Sequence, residues 1–372
     1  MLGGTLGAAT QASPQMPQKD KPSVLIVGAG LVGSSVAMHL AKKGCHVQVL
    51  EAAEPASGAS GKSWAWLNAN HKQPAHYRDL NSASMKLWGN YPHLAVFPGA
   101  LILDDGRSSD RNYPSSSLTQ SQLSVEEPAL SDGACQAGAR LYLQEGYAYP
   151  GPAVAYFMQE AQKHGAELLS KHPVQSLAPA DLRKTVKGVV SNGEHYKADV
   201  VVLAAALGIP ELVKPLGLSV PLTAKPRTVT VITKPMKRLL KHIVVTDQIF
   251  IVQRRDGDVM ISLYAGDDRP EEATPEVAKQ VIKAAAQLVP ELAKAECDQI
   301  TAGLMPYPVD AHPIVGFTKE CTNLYIAVMH SGATLAPLMG KLIADEIVNR
   351  KEEAVLAPYR LQRDFSDLRN VY

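Results

Sequence analysis

The chain has 372 residues but only four cysteines, Cys45, Cys135, Cys297 and Cys321, spaced far apart and without a CxxC pair. This argues against a disulfide framework or a cysteine zinc site and fits a reducing compartment, either the cytoplasm or an organellar matrix or stroma. No surplus of either charge exists, since 37 Lys and Arg face 36 Asp and Glu. Without a basic footprint, neither nucleic acid nor an anionic membrane surface is expected as a partner, and a small-molecule substrate is. Long apolar runs are missing too: none reaches the roughly 18 to 20 residues that a membrane span needs. The first twenty residues, "MLGGTLGAATQASPQMPQKD", lack a basic start and a long apolar core, which argues against a secretory signal. Residues 1–20 read as a disordered leader. A transit-peptide remnant is the alternative, weakened by the absence of arginine.

What the chain does have is 46% hydrophobic residues, enough for a sizeable core, and a length that predicts two domains. Val24–Val27 is a short apolar run suited to a strand buried on both faces of a parallel sheet. Gly28, Gly30 and Gly33 follow at the G-x-G-x-x-G spacing, which provides a tight turn, a close backbone approach to a pyrophosphate and close helix packing. Ser34–Lys43 reads as the helix, with Gly44 ending it, and Val47–Leu50 as a second strand. Glu51 stands at that strand's tip, where an acid accepts hydrogen bonds from a ribose hydroxyl pair and disfavours the extra phosphate of NADP. Glycines alone are a weak signal, but strand, glycines, helix, strand and terminal acid together specify a dinucleotide site.

The residues after Glu51 decide between NAD and FAD. The chain runs into the Gly/Ser-rich "AAEPASGASGKSWAWLNAN", Ala52–Asn70, whose amides and hydroxyls suit a second stretch of a long cofactor. Here the sequence resembles the D-amino-acid oxidase type of flavoenzymes, the group of glycine oxidase, sarcosine oxidase and D-amino-acid dehydrogenase. Gly58, Ala59 and Ser60 match its loop around the FAD diphosphate. "GLMPYPVDAHPIVG" is similar to the family's "G-x-R-P-x-x-x-D-x-x-P-x-I-G" at Gly303, Pro306, Asp310, Pro313, Val315 (conservatively) and Gly316. The following "NLYIAVMHSGATLAP" resembles its strand, "HSG" turn and helix, whose positive N-terminus would favour a reduced, anionic flavin. The resemblance also implies that Val174 meets the adenine through its backbone and that Ala204–Gly208 closes over the cofactor.

The expectation is therefore noncovalent FAD, since Gly303 stands where some relatives carry the linking cysteine, and Cys321 reads as part of a surface turn. The cofactor shell comprises Gly28, Ala29, Gly30, Leu31, Val32, Gly33, Glu51, Ala52, Gly58, Ala59, Ser60, Lys62, Ser63, Val174, Ala205, Gly208, Gly303, His330, Ser331, Gly332, Ala333 and Thr334. The fold class is α/β: a Rossmann-like FAD domain of the glutathione-reductase type with a second, mixed or antiparallel sheet for substrate. The FAD domain is discontinuous, over 21–75, 150–214 and 302–372, and the substrate domain takes 76–149 and 215–301. Strand patterns such as "RTVTVIT" and "IFIVQRRDGDVMISLYAG" predict the second sheet, and Thr274 caps a helix of apolar residues at helical spacing.

One departure from the family pattern bears on substrate. Its arginine, a fork for the substrate carboxylate, is Met305 here, and losing such hydrogen bonds of about 1.5 to 3 kcal/mol each weakens an amino-acid ligand roughly ten- to hundredfold. Arg227 is the candidate replacement, while Arg254 and Arg255 read as a solvated hairpin tip beside Asp256 and Asp258. His330, Met305, Tyr264 and Arg227 are the substrate-pocket candidates. Trp64 and Trp66 read by default as core, with one face of a short strand free to meet the flavin. The activity implied is hydride removal from the carbon next to an amine, giving an imine and passing electrons to O2 or another acceptor. A dehydrogenase of a non-amine donor such as a hydroxy acid, and an assembly protein with a structural flavin, are the alternatives.

Overall fold

The computed structural model describes residues 21–103, 113–135, 138–178, 185–223, 227–263 and 272–365. The leader, 1–20, and Tyr264 lie outside the described residues, as does the side chain of Arg227.

The apolar runs assemble into a six-stranded sheet in the order Ile314–Phe317, Leu324–Val328, Val200–Leu203, Ser23–Val27, His46–Leu50, Glu167–Leu169. All neighbours are parallel except the first pair. Strands without alternation, such as Val24–Val27 and Val200–Leu203, are buried on both faces, as the sequence predicts. Helix Leu31–Lys42 packs one face of this sheet, flanked by helices Pro150–Lys163 and Gly332–Asn349. The other face is covered by a three-stranded antiparallel sheet, Val174–Leu177, Gly188–Ser191 and Glu194–Lys197, and by helix Ile209–Val213.

The second large sheet has eight strands in the order Cys297–Leu304, Arg227–Thr233, Val259–Leu263, Ile249–Gln253, Ile243–Val245, Ala100–Leu103, Ala139–Tyr142, Ser116–Leu118. It is antiparallel except where Ile243–Val245 runs parallel to Ala100–Leu103. Period-two alternation divides its second strand, Arg227–Thr233. Val229 and Val231 face the amphipathic helix Pro275–Leu288, capped by Thr274 as expected, and Thr228 and Thr230 point to the opposite side. Phe250 and Met260 on that opposite side join the core built on the first sheet. The two sheets thus meet through one apolar seam, and strand Cys297–Leu304 delivers Gly303 to it.

Two expectations from sequence need correction. Cys321 is buried, 3% exposed, because Thr318 closes its turn with hydrogen bonds to the Cys321 N–H and carbonyl. Arg254 is not a solvated tip residue: both ends of its guanidinium donate to Asp258 at 2.6 and 2.7 Å, and it lies over the Tyr149 ring.

The second half of the "GLMPYPVDAHPIVG" segment ties down the end of the described chain. Asp310 accepts from Arg363 Nε at 2.7 Å and Nη2 at 2.9 Å, and from the His312 N–H at 3.1 Å. These partners hold its carboxyl well below the usual range although burial opposes them. Removing one side of such a buried pair leaves the other charge uncompensated. Asp310→Ala should therefore lower stability by about 3 kcal/mol in urea unfolding, and the Arg363→Ala double variant by less than the sum of the singles. A loss below about 1 kcal/mol would contradict this tie.

Candidate active site

The cleft is built outward from the turn after Ser23–Val27. Gly28 has φ +104° and donates its N–H to Leu50 O at 2.8 Å, and a Cβ there would stand 2.7 Å from the carbonyl oxygen of Ala204. A Cβ on Gly33 would stand 2.0 Å from the carbonyl oxygen of Gly28, so only glycine lets the helix press against the strand turn. That helix begins at Leu31, earlier than the Ser34 expected, because Gly30 takes the cap position and the turn itself supplies the first helical residues. No side chain caps it from Gly30, but Ser60 reaches over from the Gly/Ser loop and accepts the Leu31 N–H at 3.0 Å. The hydroxyl thus sits where the unpaired N–H groups and dipole of a helix start attract an anion.

Glu51 is held at the edge of the turn by the Ala29 N–H at 2.8 Å and the Ala53 N–H at 3.0 Å, one to each oxygen. Each carboxylate oxygen keeps further lone pairs for a diol. From here a cleft of about 660 Å³ runs the length of the seam between the sheets. Its half nearest the glycine turn is lined by Gly28, Gly30, Leu31, Val32, Glu51, Ala52, Gly58, Ala59, Ser60, Val174, Ala205 and Gly208. Sequence reading missed Glu211 and Leu212 in this half, from a helix whose pattern carries no binding signal.

The other half is lined by Lys62, Ser63, Trp64, Thr228, Gly303, Met305, Pro306, Met329, His330, Gly332 and Ala333. The Lys62 stem crosses Gly303 so closely that a Cβ on the glycine would lie 2.8 Å from the lysine Cβ. Gly332 and Ala333 line the cleft and open helix Gly332–Asn349, whose first N–H groups have no partner in the helix ladder. Trp64 lines the cleft and meets Phe250 edge-on at 4.7 Å, while Trp66 packs inward against the same ring at 6.0 Å.

Four expected cofactor-shell residues stand behind the cleft wall instead. Ala29 is fully buried and Gly33 serves packing. Ser331 accepts a hydrogen bond from Tyr77 Oη at 2.9 Å, and Thr334 donates to the Trp66 carbonyl at 3.1 Å. His330 stacks at a tilt on Tyr307, ring centroids 4.4 Å apart. Burial, with the Lys72 charge adding to it, pushes its imidazole down to about 3, so it is neutral at every working pH. It can turn a lone pair or an N–H to a ligand but offers no positive charge.

This arrangement is that of a protein binding an extended dinucleotide across an α/β sheet and presenting its far end to a second sheet. The glycine cradle, the acid at the strand tip and the second helix start fit FAD, and no cysteine lines the cleft among the described residues, which fits noncovalent binding. The DAO family pattern, described as FAD dependent oxidoreductase, matches residues 23–346, and the chain belongs to that family. It is an FAD-dependent oxidoreductase. A glycine oxidase of Pseudomonas aeruginosa is 26% identical, over 90% of this chain and 97% of its own. The uncharacterized oxidoreductase YurR of Bacillus subtilis is 24% identical over 91% of this chain and 98% of its own. Among solved structures, glycine oxidase from Geobacillus kaustophilus superposes with a TM-score of 0.80 at 25% identity, covering 93% of this chain and 100% of that one. L-proline dehydrogenase from P. horikoshii shares the fold, with a TM-score of 0.78 at 23% identity, covering 92% and 98%. No helix among the described residues is long and apolar enough to cross a membrane.

Gly33→Ala tests the cradle: the chain should fold without retaining FAD, or retain it at least a hundredfold more weakly, measured by flavin fluorescence on dialysis. A Gly33→Ala protein with wild-type flavin content would show that the helix start does not depend on this approach.

Proposed function

We propose that this chain oxidises an amine, an amino acid or a cyclic amine among them, to the imine and passes the electrons to O2 or another acceptor. The observation that carries this is the apolar, nearly uncharged far half of the cleft, closed by Trp64, Thr228, Met305, Pro306, Met329 and His330 against the start of helix Gly332–Asn349. The names of the relatives, glycine oxidase and L-proline dehydrogenase, support an amine as donor.

Bound FAD supplies hydride acceptance, and the chain supplies position and field. In this reading Gly28, Gly30, Leu31, Val32 and Ser60 would hold the diphosphate, Glu51 the ribose, and Val174, Glu211 and Leu212 the adenine end. Gly303, Lys62, Gly332 and Ala333 would hold the flavin end. The helix start at Gly332 favours negative charge there, which lowers the cost of taking up electrons. Trp64 and Met305 exclude water and seat the apolar part of the donor.

No carboxylate lines the far half among the described residues, and neutral His330 is far too weak a base to strip an ammonium at neutral pH. The donor must therefore bind as the free amine. Flavin reduction should rise with pH along one ionisation that follows the donor's own pKa when the donor is changed, read by anaerobic stopped flow. An ionisation fixed across donors would reveal a base on the chain instead. Met305→Arg should improve KM for glycine at least tenfold by restoring a carboxylate fork, and an unchanged KM would remove Met305 from the donor site. A flavin bleached only by hydroxy acids, or by no donor, would sink the amine reading.

A further inference from the structure

Beside the far half of the cleft lies a buried polar cluster with no part in holding the cofactor. Its centre is Glu145, fully buried at the edge of the second sheet. One oxygen accepts from the Ala69 and Asn70 backbone N–H groups at 3.2 and 3.0 Å, and the Asn70 amide donates to both oxygens at 2.7 and 2.6 Å. Burial nevertheless pushes this carboxyl up to about 7.

Two residues beyond Asn70 stands Lys72, only 5% exposed. Its ammonium lies over the Tyr77 ring, 5.9 Å from the centroid, and makes no hydrogen bond or ion pair among the described residues. Asn70 and the backbone have taken the Glu145 oxygens, so the carboxylate compensates Lys72 at a distance without engaging its donors. A buried ammonium with three idle N–H groups is expensive unless something anionic meets it. Lys72 is tied to the cleft by position: Tyr77, on which it rests, donates to Ser331, the neighbour of cleft-lining His330, and the Lys72 charge is felt at that imidazole. The other buried cation nearby, Arg78, is engaged by Asp79 at 3.0 Å.

We infer that Lys72 is the residue that receives the carboxylate of the donor, from a different element than the C-terminal strand, where Met305 leaves no cation. This rests on the reading of the chain as an amine oxidoreductase. A lysine side chain is a point charge on a flexible stem, able to bring its ammonium past His330 to the far half of the cleft. It accepts carboxylates of varied orientation where a fixed arginine fork would accept one. Glu145 supplies the opposing charge nearby when no donor is bound. Its test separates Lys72 from Lys62, the exposed lysine that lines the cleft beside Gly303.

The experiment is a titration of FAD-loaded protein with acetate at pH 8, followed through the flavin absorbance, with acetamide as the neutral isostere. Wild type should bind acetate, K72M at least tenfold more weakly, and K72R with most of the affinity kept, while acetamide distinguishes none of them. E145Q, which leaves Lys72 in place and removes the competing charge, should bind acetate more tightly. It decides the matter should K72M fail to hold FAD. Wild type indifferent to acetate, flavin-loaded K72M binding it normally, loss of binding in K62M with K72M unaffected, or weaker binding in E145Q would each overturn the assignment. The amine reading fails separately, by a wild-type flavin that binds acetate but is bleached by no amine.

Discussion

The approach of one helix to one turn governs most of what this protein does. Gly33 lies so near the Gly28 carbonyl, and Gly28 so near the Ala204 carbonyl, that three segments distant in sequence share one small volume. The contact sets where helix Leu31–Lys42 begins and how its unpaired N–H groups face the cleft. It also fixes Val200–Leu203 beside Ser23–Val27, so the small-residue turn at Ala204–Gly208 falls over the same cleft. A single added methyl would push all of these apart.

From that start the cleft is a sequence of borrowed ends. Strand tips supply Glu51 and Gly303, helix starts supply Leu31 and Gly332, and the Gly/Ser loop supplies Ser60 and Lys62. Helix starts and strand tips leave backbone donors over, and the loop and the strand-tip acid meet some of them, as Ser60 meets the Leu31 N–H and Glu51 the Ala29 N–H, so the site needs little specialised chemistry of its own. Carboxylates are kept to the half nearest Glu51, and apart from the exposed Lys62 the far half is left apolar against the second sheet. The division suits a reaction whose electronic work falls to the cofactor and whose selectivity falls to packing.

The glycine turn, its helix and the acid at the strand tip were legible in the sequence because their logic is local. The interval from Val24 to Glu51 contains strand, turn, helix and acid in one continuous stretch, and the backbone rules that relate them do not depend on the rest of the chain. Thr274 as a cap was readable for the same reason. The far half depends on residues brought together from remote segments. Trp64 against Phe250 leaves no spacing signature, since the contact is decided by how remote segments meet. Cys321 and Arg254 were misread where a nearby partner, Thr318 or Asp258, overrode the ordinary preference of a turn for exposed, unpaired residues.

The order of strands in the first sheet has a bearing on how the protein is made. Ser23–Val27 sits between His46–Leu50 and Val200–Leu203, and the next strand out is Leu324–Val328. The Gly28 turn leaves the ribosome early, but its parallel partner at 200–203 emerges nearly half a chain later, and Gly303 and Gly332 later still. The halves of the cleft therefore cannot close on each other before residues 303–333 have been made, and until then the apolar seam between the sheets lacks its partner. Cofactor loading waits on the joining of segments far apart in the sequence, not on the glycine turn alone.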